Sequence, residues 1–283
     1  MKPIAEQTIL ITGATDGLGK ATTLELAKLG ARVLIHGRDD SRLADVKQVI
    51  IGETGNPEIE TYRANFAVLA EVRHLAYIIQ AEHPKLDMLI NNAASGGGKP
   101  GDSRRELSAD GYELRFAVNY LAPFLLTQLL LPSLKAAAPS RIINVSSAGQ
   151  FPINFDDIMM EKNYEPLDAY RQSKLAQIMF TFDLAEQLQD EGITVNALHP
   201  ASLMPTKMVK EYFGRTMDSL EDGIASVMHL ATDPALEGVT GKYFDHQQEA
   251  EAHPQAYDAE ARQRLWQLST ELTDAEKINF VPD

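Results

Sequence analysis

Cysteine is absent from the 283 residues, which excludes disulfide bonds, thiolate nucleophiles and thiolate metal ligands. Basic side chains are also scarce, with 26 Lys and Arg against 40 Asp and Glu. The resulting net charge of −14 makes the chain a poor electrostatic partner for nucleic acid or an anionic lipid surface. We therefore expect neither nucleic acid nor a membrane as its partner.

Targeting and membrane signals are equally scarce. The first residues, MKPIAEQTIL, contain no charged region leading into an apolar region, as a signal peptide would. The longest apolar stretch, YLAPFLLTQLLLPSL, is interrupted by Pro and Gln and looks too short to span a membrane. The seven histidines show neither an H-E-x-x-H motif nor other paired ligand spacing. We expect a cytoplasmic protein without a metal site.

Short β-branched and apolar runs alternate with helix-forming segments along the chain. Residues 8–12, 32–37 and 141–147 are typical strands, and helical patterns follow the first two. This alternation predicts an α/β fold with a doubly wound parallel sheet, Rossmann-like. No repeat or Pro/Gly/Ser linker divides the chain, so we expect a single domain over residues 1–283. A polar helical tail, from about 246 to 283, should pack outside it.

A glycine-rich turn, TGATDGLGK, follows the first strand and opens a helix. Gly13, Gly17 and Gly19 allow a tight turn and a close approach to a ligand, and a helix N-terminus favours a pyrophosphate. A phosphate-binding P-loop needs four residues between its glycines and then Gly-Lys-Ser/Thr, whereas Lys20 is followed by Ala21. The spacing also departs from G-x-G-x-x-G. Its position after a strand nevertheless favours dinucleotide binding.

The end of the second strand, IHGRD, bears on the choice of cofactor. An acidic residue here binds the ribose 2′-hydroxyl of NAD, and an arginine accommodates the 2′-phosphate of NADP. Arg38 follows His36 by two positions, which favours NADP(H) and leaves NAD(H) possible. A solvated surface arginine is the alternative reading of Arg38. Asp39 is either an acidic cofactor ligand or the cap of the next helix.

A tyrosine and a lysine lie four residues apart in the helical segment DAYRQSKLAQ. Tyr170 and Lys174 therefore share one helical face. A free phenol has a pKa of about 10, and a nearby ammonium favours the phenolate, so the pair suits acid/base chemistry. The same spacing also arises by chance on surface helices. Ser147 strengthens the catalytic reading, because it ends a strand at the edge where open α/β sheets place their sites.

Asn119 precedes Pro123 by four residues within the helical stretch FAVNYLAPFLL. The missing N–H of the proline leaves the Asn119 carbonyl without its helical partner, or the helix bends there. A free carbonyl is able to bind a water, whereas a bend is purely structural. Both alternatives stay open at this point.

Together these motifs resemble the short-chain dehydrogenase/reductase family over residues 7–245. TGATDGLG, NNAA, Asn119, the serine pair ending at Ser147, YRQSK and HPA all occur in the family's order. The 23 residues from Ser147 to Tyr170 (170 − 147 = 23), and the sequence between them, are similar to the retinol-dehydrogenase-like branch. That branch often carries a membrane anchor, which this sequence lacks, so a soluble member is expected.

The resemblance implies hydride transfer between a nicotinamide cofactor and a small, apolar carbonyl or alcohol substrate. It implies Tyr170 as proton donor and acceptor, and Ser147 as the group that orients the substrate oxygen. Lys174 would lower the pKa of the tyrosine and bind the ribose, and Asn119 would position a water. A homodimer or homotetramer is possible by the same resemblance. The implied cofactor contacts are Gly13, Thr15, Asp16, Gly17, Leu18, Gly19, Arg38, Asn65, Phe66, Asn92, Ala93, Ala94, Tyr170, Lys174, Pro200, Ala201 and Leu203.

Three positions depart from the family pattern. Ala94 replaces the glycine of NNAG, Asn65 replaces an aspartate near the adenine, and Ala201 replaces the glycine after Pro200. All three positions concern cofactor contacts, where we expect a weaker affinity, and none of them removes a catalytic group. Residues 201–217 would form the substrate lid. Their Met, Tyr and Phe indicate either an apolar pocket or an amphipathic helix that packs on the core.

Two other classes fit a Rossmann-like chain. A catalytically idle dinucleotide-binding sensor is the main alternative, but an idle relative would often have lost Tyr170 or Lys174. In a Rossmann-like methyltransferase the Tyr-x-x-x-Lys pair would have no purpose. An oxidoreductase is therefore the favoured reading.

Overall fold

A single eight-stranded sheet forms the centre of the molecule, with the order 3-2-1-4-5-6-7-8. The computed structural model describes residues 2–98, 104–206, 209–210 and 214–275. The first seven strands are parallel, and the eighth pairs antiparallel with the seventh. The strands are β1 (Thr8–Ile11), β2 (Arg32–Gly37), β3 (Ile59–Arg63), β4 (Met88–Asn91), β5 (Ser140–Val145), β6 (Ile193–His199), β7 (Lys242–Asp245) and β8 (Gln248–Glu249). The predicted doubly wound, Rossmann-like fold is confirmed.

Helices cover both faces of the sheet. They are α1 (Gly17–Lys28), α2 (Asp40–Thr54), α3 (Leu69–Glu82), α4 (Leu114–Ala136), α5 (Pro166–Gln187), α6 (Leu220–Thr232) and α7 (Ala259–Thr273). Alternate side chains of a strand point to opposite faces, so β1 feeds two cores. Ile9 and Ile11 pack with α1, α2 and α6, and Leu10 packs with α3, α4 and α5. Burial on both faces explains why these strands are continuously apolar.

The strand order reverses between β1 and β4, because β1 pairs with both β2 and β4. The connections leave these strands on opposite faces of the sheet. A crevice therefore opens beyond their carboxyl ends, where open α/β sheets bind ligands. The turn after β1 lies at this point.

The sequence analysis predicted that the apolar stretch within α4 is too short to span a membrane, and the structure shows that this prediction is wrong. The helix has 23 residues and is long and apolar enough to cross a membrane, although 78% of its most apolar window is buried within the protein. A core helix of a soluble protein meets the same criteria. Burial against the sheet, rather than length, therefore accounts for its composition.

The C-terminal segment is less uniformly helical than the sequence predicted. It begins with β8 and a short 3₁₀ turn, Pro254–Tyr257, before α7. The Trp266 ring lies 5.3 Å from that of Phe124 on α4 and 5.8 Å from that of Phe180 on α5. Helix α7 thus packs against α4 and α5 through an aromatic contact. Residues 276–283 of the predicted tail lie outside the described residues.

Candidate active site

Every predicted site residue lies at or beyond the carboxyl end of a strand, or on a helix packed against that edge. The glycine turn follows β1, Arg38 follows β2, and Asn65 and Phe66 follow β3. Asn92 to Ala94 follow β4, Ser147 follows β5, and Pro200 to Leu203 follow β6. Tyr170 and Lys174 lie on α5, and Asn119 lies on α4. The parallel sheet therefore gathers segments that are far apart in sequence along one edge.

The turn between β1 and α1 has room only for glycine at its two critical positions. Gly13 has φ +68°, and a Cβ there would lie 2.7 Å from the Ala93 Cα. A Cβ on Gly19 would lie 2.3 Å from the Gly13 carbonyl oxygen. Asp16 caps α1, with its carboxylate accepting a hydrogen bond from the Gly17 N–H at 2.8 Å. The first turn of α1 therefore packs tightly on β1, in the form that a pyrophosphate-binding turn requires.

His36 supports this turn from β2. Its Nδ1 accepts a hydrogen bond from the Gly13 N–H at 3.3 Å, and its Nε2 lies 3.0 Å from the Ala64 carbonyl oxygen. The ring stacks on Phe66 with centroids 4.3 Å apart. Burial lowers the pKa of His36 to about 4, so the imidazole is neutral near pH 7. The two contacts then require the tautomer in which Nε2 carries the hydrogen and donates it to Ala64.

Asp39, which the sequence left as either a cofactor ligand or a helix cap, is a helix cap in the structure. Its carboxylate accepts a hydrogen bond from the Arg42 N–H at 3.0 Å, so it caps α2. Arg38 beside it is exposed. Arg42, which the sequence reading passed over, lies 3.2 Å from the Asp16 carboxylate and 3.4 Å from the Thr15 carbonyl oxygen. Arg42 therefore flanks the outer side of the glycine turn, and Asp39, the acidic residue nearest the end of β2, is engaged as a helix cap.

The end of β4 is fastened to the same turn. The Asn92 side-chain amide donates to the carbonyl oxygens of Thr12, at 2.9 Å, and Gly13, at 3.1 Å. The Thr12 hydroxyl accepts from the Ala93 N–H at 3.0 Å. Asn65, at the end of β3, uses its side-chain oxygen to accept from the Ala67 N–H at 3.1 Å, so that oxygen stabilises its own turn.

Asn119 lies in a π-helical turn, Ala117–Leu121, directly before Pro123. In this turn the Ala122 N–H bonds to the Ala117 carbonyl, five residues back, so the helix widens where the proline removes a donor. The Asn119 side chain accepts from the Ser95 N–H at 2.6 Å and donates to the Ser95 carbonyl at 3.0 Å. It also donates to the Ser173 hydroxyl at 2.9 Å. Asn119 therefore joins the loop after β4 to α5.

The Ser147 hydroxyl lies close enough to the Tyr170 phenol to lower the pKa of that phenol. The Ser147 hydroxyl also accepts from the Gly149 N–H at 3.0 Å. Tyr243 on β7 and the side-chain amide of Gln150 both donate to the Ser147 carbonyl, at 3.2 and 3.3 Å. These contacts, which the sequence did not predict, hold the serine against the tyrosine.

Lys174 lies one helical turn beyond Tyr170, with its Nζ 5.7 Å from the centre of the phenol ring. The side chain is 2% exposed, and Nζ donates to the Val145 carbonyl at 2.8 Å and to Gln177 Oε1 at 2.9 Å. Burial lowers the pKa of Lys174 to about 7. Burial raises the pKa of Tyr170, and the nearby Ser147 hydroxyl opposes that rise. Without a cofactor the net direction for the phenol is thus opposite to the lowering expected from the lysine, because desolvation dominates.

The predicted lid is described only in part, since residues 207, 208 and 211–213 of it lie outside the described residues. Its two ends are joined. The Met217 N–H donates to the Leu203 carbonyl at 3.2 Å, and the Ser202 N–H donates to the Asp218 carboxylate at 2.6 Å. The Thr206 methyl would lie 3.2 Å from a Cβ on Gly17, so the lid begins over the glycine turn.

One group of potential metal ligands occurs among the described residues. Glu60, Glu82 and His83 place one ligand atom each within 4.8 Å of one another. The Tyr62 hydroxyl contacts all three, at 2.7 to 3.1 Å. They lie on β3 and at the end of α3, which carry none of the predicted catalytic residues. The cluster therefore belongs to the edge of the sheet rather than to the Tyr170 site.

Comparison with known proteins agrees with this arrangement. The sequence profile of the family described as short chain dehydrogenase matches residues 7–216. Mouse retinol dehydrogenase 13 is 39% identical, over 95% of this chain and 84% of that protein. Human polyprenol dehydrogenase is 33% identical, over 96% of this chain and 86% of that protein.

Solved structures show the same fold. An uncharacterized protein from Mycobacterium paratuberculosis aligns with a TM-score of 0.79 and 28% identity, covering 97% of this chain and 96% of that chain. A Shigella flexneri protein described as a short chain dehydrogenase complexed with NADP aligns with a TM-score of 0.70 and 26% identity, covering 87% and 100%. The chain therefore belongs to the short chain dehydrogenase family, and it is a nicotinamide-dependent oxidoreductase that acts on the alcohol or carbonyl group of its substrate.

Proposed function

We propose that this enzyme interconverts an apolar alcohol and its aldehyde or ketone, with NADP(H) as the preferred cofactor and Tyr170 as the acid/base. The observation that carries the proposal is the Ser147 hydroxyl beside the Tyr170 phenol, with Lys174 buried one helical turn away. A hydroxyl donor, a phenol and an ammonium at the crevice beside a dinucleotide turn are the groups that carbonyl reduction needs.

In reduction, the Ser147 hydroxyl would donate a hydrogen bond to the substrate carbonyl oxygen and so orient it toward Tyr170. The phenol would transfer its proton to that oxygen as negative charge develops there. The bound nicotinamide supplies or accepts the hydride. The Lys174 ammonium would favour the phenolate that remains, since opposite charges lower the cost of ionisation. Asn119 would act by holding Ser95 and Ser173 beside the reacting groups.

The preference for NADP(H) is supported by two arginines that follow β2. Arg38 is exposed after β2, and Arg42 contacts the turn itself. Asp39, the nearest acidic residue, is engaged as a helix cap. The Shigella flexneri relative, described as complexed with NADP, supports the same cofactor. A Cβ at Gly13, Gly17 or Gly19 would crowd neighbouring atoms, so the turn needs bare backbone at these positions. The same three glycines would hold the pyrophosphate. The remaining predicted contacts would surround the adenine, ribose and nicotinamide.

An apolar substrate is supported by exposed apolar side chains in segments that adjoin predicted site residues, and by the relatives. Phe151, four residues after Ser147, is 37% exposed, and Met217, bonded through its N–H to Leu203, is 66% exposed. Burying such surfaces against a hydrocarbon would stabilise a complex by about 25 cal/mol for each Å² removed from water. The named activities of the relatives concern retinol and polyprenol, which are long unsaturated alcohols.

We further propose a single cytoplasmic catalytic domain that assembles as a homodimer or homotetramer. The burial of α4 supports a role in the core rather than in a membrane. Fractionation of cells that express the chain tests the location, and light scattering of the purified protein tests the assembly.

The proposed activity is tested by following the oxidation of NADPH, and separately of NADH, with retinal, with a short aliphatic aldehyde and without substrate. Faster turnover with the long apolar aldehyde is expected. Equal rates with all aldehydes would contradict the apolar pocket, and a preference for NADH would contradict the role of Arg38.

A further inference from the structure

Lys174 is almost fully enclosed, yet its ammonium has few groups to bind. Among the described residues its Nζ has two hydrogen-bond acceptors, the Val145 backbone oxygen and Gln177 Oε1. Strand β5 also contributes Ser146, whose hydroxyl donates to the Lys174 carbonyl rather than to the ammonium. Tyr170 is the titratable group that Lys174 contacts. Within the part of the chain that the structure describes, the side-chain oxygen bonded to the ammonium therefore comes from Gln177.

The contact with Lys174 uses the oxygen of the Gln177 amide and is unfavourable for its nitrogen. The residue is 1% exposed, and its Nε2 has no hydrogen-bond partner within the described part of the chain. A buried donor without a partner is destabilising, so a residue that leaves one calls for an explanation. The opposite orientation of the amide would point its hydrogens at the ammonium, which has no acceptor. Lys174 therefore determines which way the amide points.

We propose that Gln177 is a positioning residue for the Tyr170–Lys174 pair. The Gln177 amide oxygen holds the lysine in its charged form below the phenol. The proposal rests on the proposed function, in which Tyr170 is the acid/base. Gln177 lies three residues after Lys174, so the two side chains share one face of α5. Tyr170, Lys174 and Gln177 thus lie in a row along the helix.

Charge explains why an acceptor matters at this point. Burial lowers the pKa of Lys174 to about 7, and no charged side chain among the described residues contributes to that shift. A neutral acceptor favours the ammonium over the amine, so its removal should lower the pKa further. A carboxylate in the same place should raise it. Substitution by Met and by Glu should therefore move the titration of Lys174 in opposite directions, whereas a change of packing alone has no reason to do so.

The experiment titrates Lys174 directly, by NMR of the full chain labelled with ¹³C at lysine Cε. The Lys174 signal is the one lost in Lys174→Met. In Gln177→Met it should titrate about one pH unit lower than in the wild type, and in Gln177→Glu about one unit higher. The alkaline limit of kcat should move in the same directions.

Gln172→Met is the matched control. Gln172 is on the same helix and equally buried, but it bonds to the loop residues Asn154 and Ile158. Its substitution should leave the titration of Lys174 unchanged. Unchanged values in both Gln177 variants, or shifts in the same direction, would overturn the proposal. If Gln177→Glu does not fold, Gln177→Met decides alone, with a lower value in support and an unchanged one against.

The proposed function and the role of Gln177 are overturned by different results. A wild-type chain that reduces no aldehyde would overturn the proposed function, while the NMR titration would still decide whether Gln177 governs the charge of Lys174. An active wild type with unmoved titrations would overturn the role of Gln177 and leave the enzyme as proposed.

Discussion

Lys174 holds its ammonium nitrogen 5.7 Å from the centre of the Tyr170 ring, on the same face of one helix. The nitrogen is engaged by Val145 and Gln177 rather than by the phenolic oxygen. The lysine therefore acts on the tyrosine through its charge, at a distance, while the Ser147 hydroxyl beside the phenol lowers the phenol's pKa. This division of roles determines what each substitution should do.

Tyr170→Phe should lower turnover by about 10²- to 10⁴-fold while leaving cofactor binding intact, because only the transferable proton is removed. NADPH turnover and fluorescence titration of NADPH measure the two effects. Tyr112→Phe is a suitable control, since that hydroxyl bonds to Leu272 and lies outside the site. Carbonyl reduction at the wild-type rate by Tyr170→Phe would rule out the assigned acid/base.

Arg38→Ala should raise KM for NADPH about tenfold or more and change KM for NADH much less, because only NADPH carries a 2′-phosphate. Steady-state kinetics with both cofactors measure the difference. Arg63→Ala is the control, since Arg63 is a half-exposed arginine that ends the neighbouring strand and pairs with Asp40 and Glu71. Equal changes for the two cofactors would remove the assigned role of Arg38.

His36 should make folding stability depend on pH between about 4 and 6.5. Its pKa falls from 6.5 to about 4 on folding, so the unfolded chain binds more protons in that window. The stabilisation is complete above pH 6.5 and is lost as the pH falls toward 4, by about 3 kcal/mol in all. Urea unfolding at several pH values should show a steeper slope in the wild type than in His36→Gln. His74→Gln removes an exposed histidine and serves as the control; a slope shared by the wild type and His36→Gln would contradict the assignment.

Gly19→Ala should abolish cofactor binding and cost about 2 kcal/mol or more of stability, because its Cβ would meet the Gly13 oxygen and the Asn92 amide. Gly52→Ala provides the contrast. Gly52 lies within α2 with nothing in reach of a Cβ, so alanine there should stabilise the protein by about 0.5–1 kcal/mol. Thermal unfolding and NADPH titration measure both variants. Normal cofactor binding by Gly19→Ala would mean that the turn does not hold the dinucleotide.

Local signals predicted the architecture and the identity of the candidate site. The strand–helix alternation predicted the parallel sheet, and the i, i+4 spacing placed Tyr170 and Lys174 on one face. Pro123 marked the irregular turn at Asn119, because a missing N–H is a property of one residue type. These features depend on periodicity and backbone chemistry, which neighbouring residues determine.

The contacts that support the site escaped prediction because they join distant segments. Nothing local to His36 indicates that it accepts from Gly13 and reaches Ala64, and nothing near Tyr243 indicates Ser147. The raised pKa of Tyr170 depends on burial by the folded chain, which spacing along one helix does not report. The contact of Gln177 could have been predicted from the sequence, because Gln177 lies three residues from Lys174 on the same helix.

The placement of Trp266 also supplies the molecule with a built-in optical probe. It is the only tryptophan in the chain, and its indole packs on Phe124 and Phe180. Its emission therefore reports how α7 is seated on α4 and α5, without any added label. The same helix α5 carries Tyr170 and Lys174. A change of that emission on addition of cofactor or substrate would show that binding alters the packing around Trp266, on the far side of this helix.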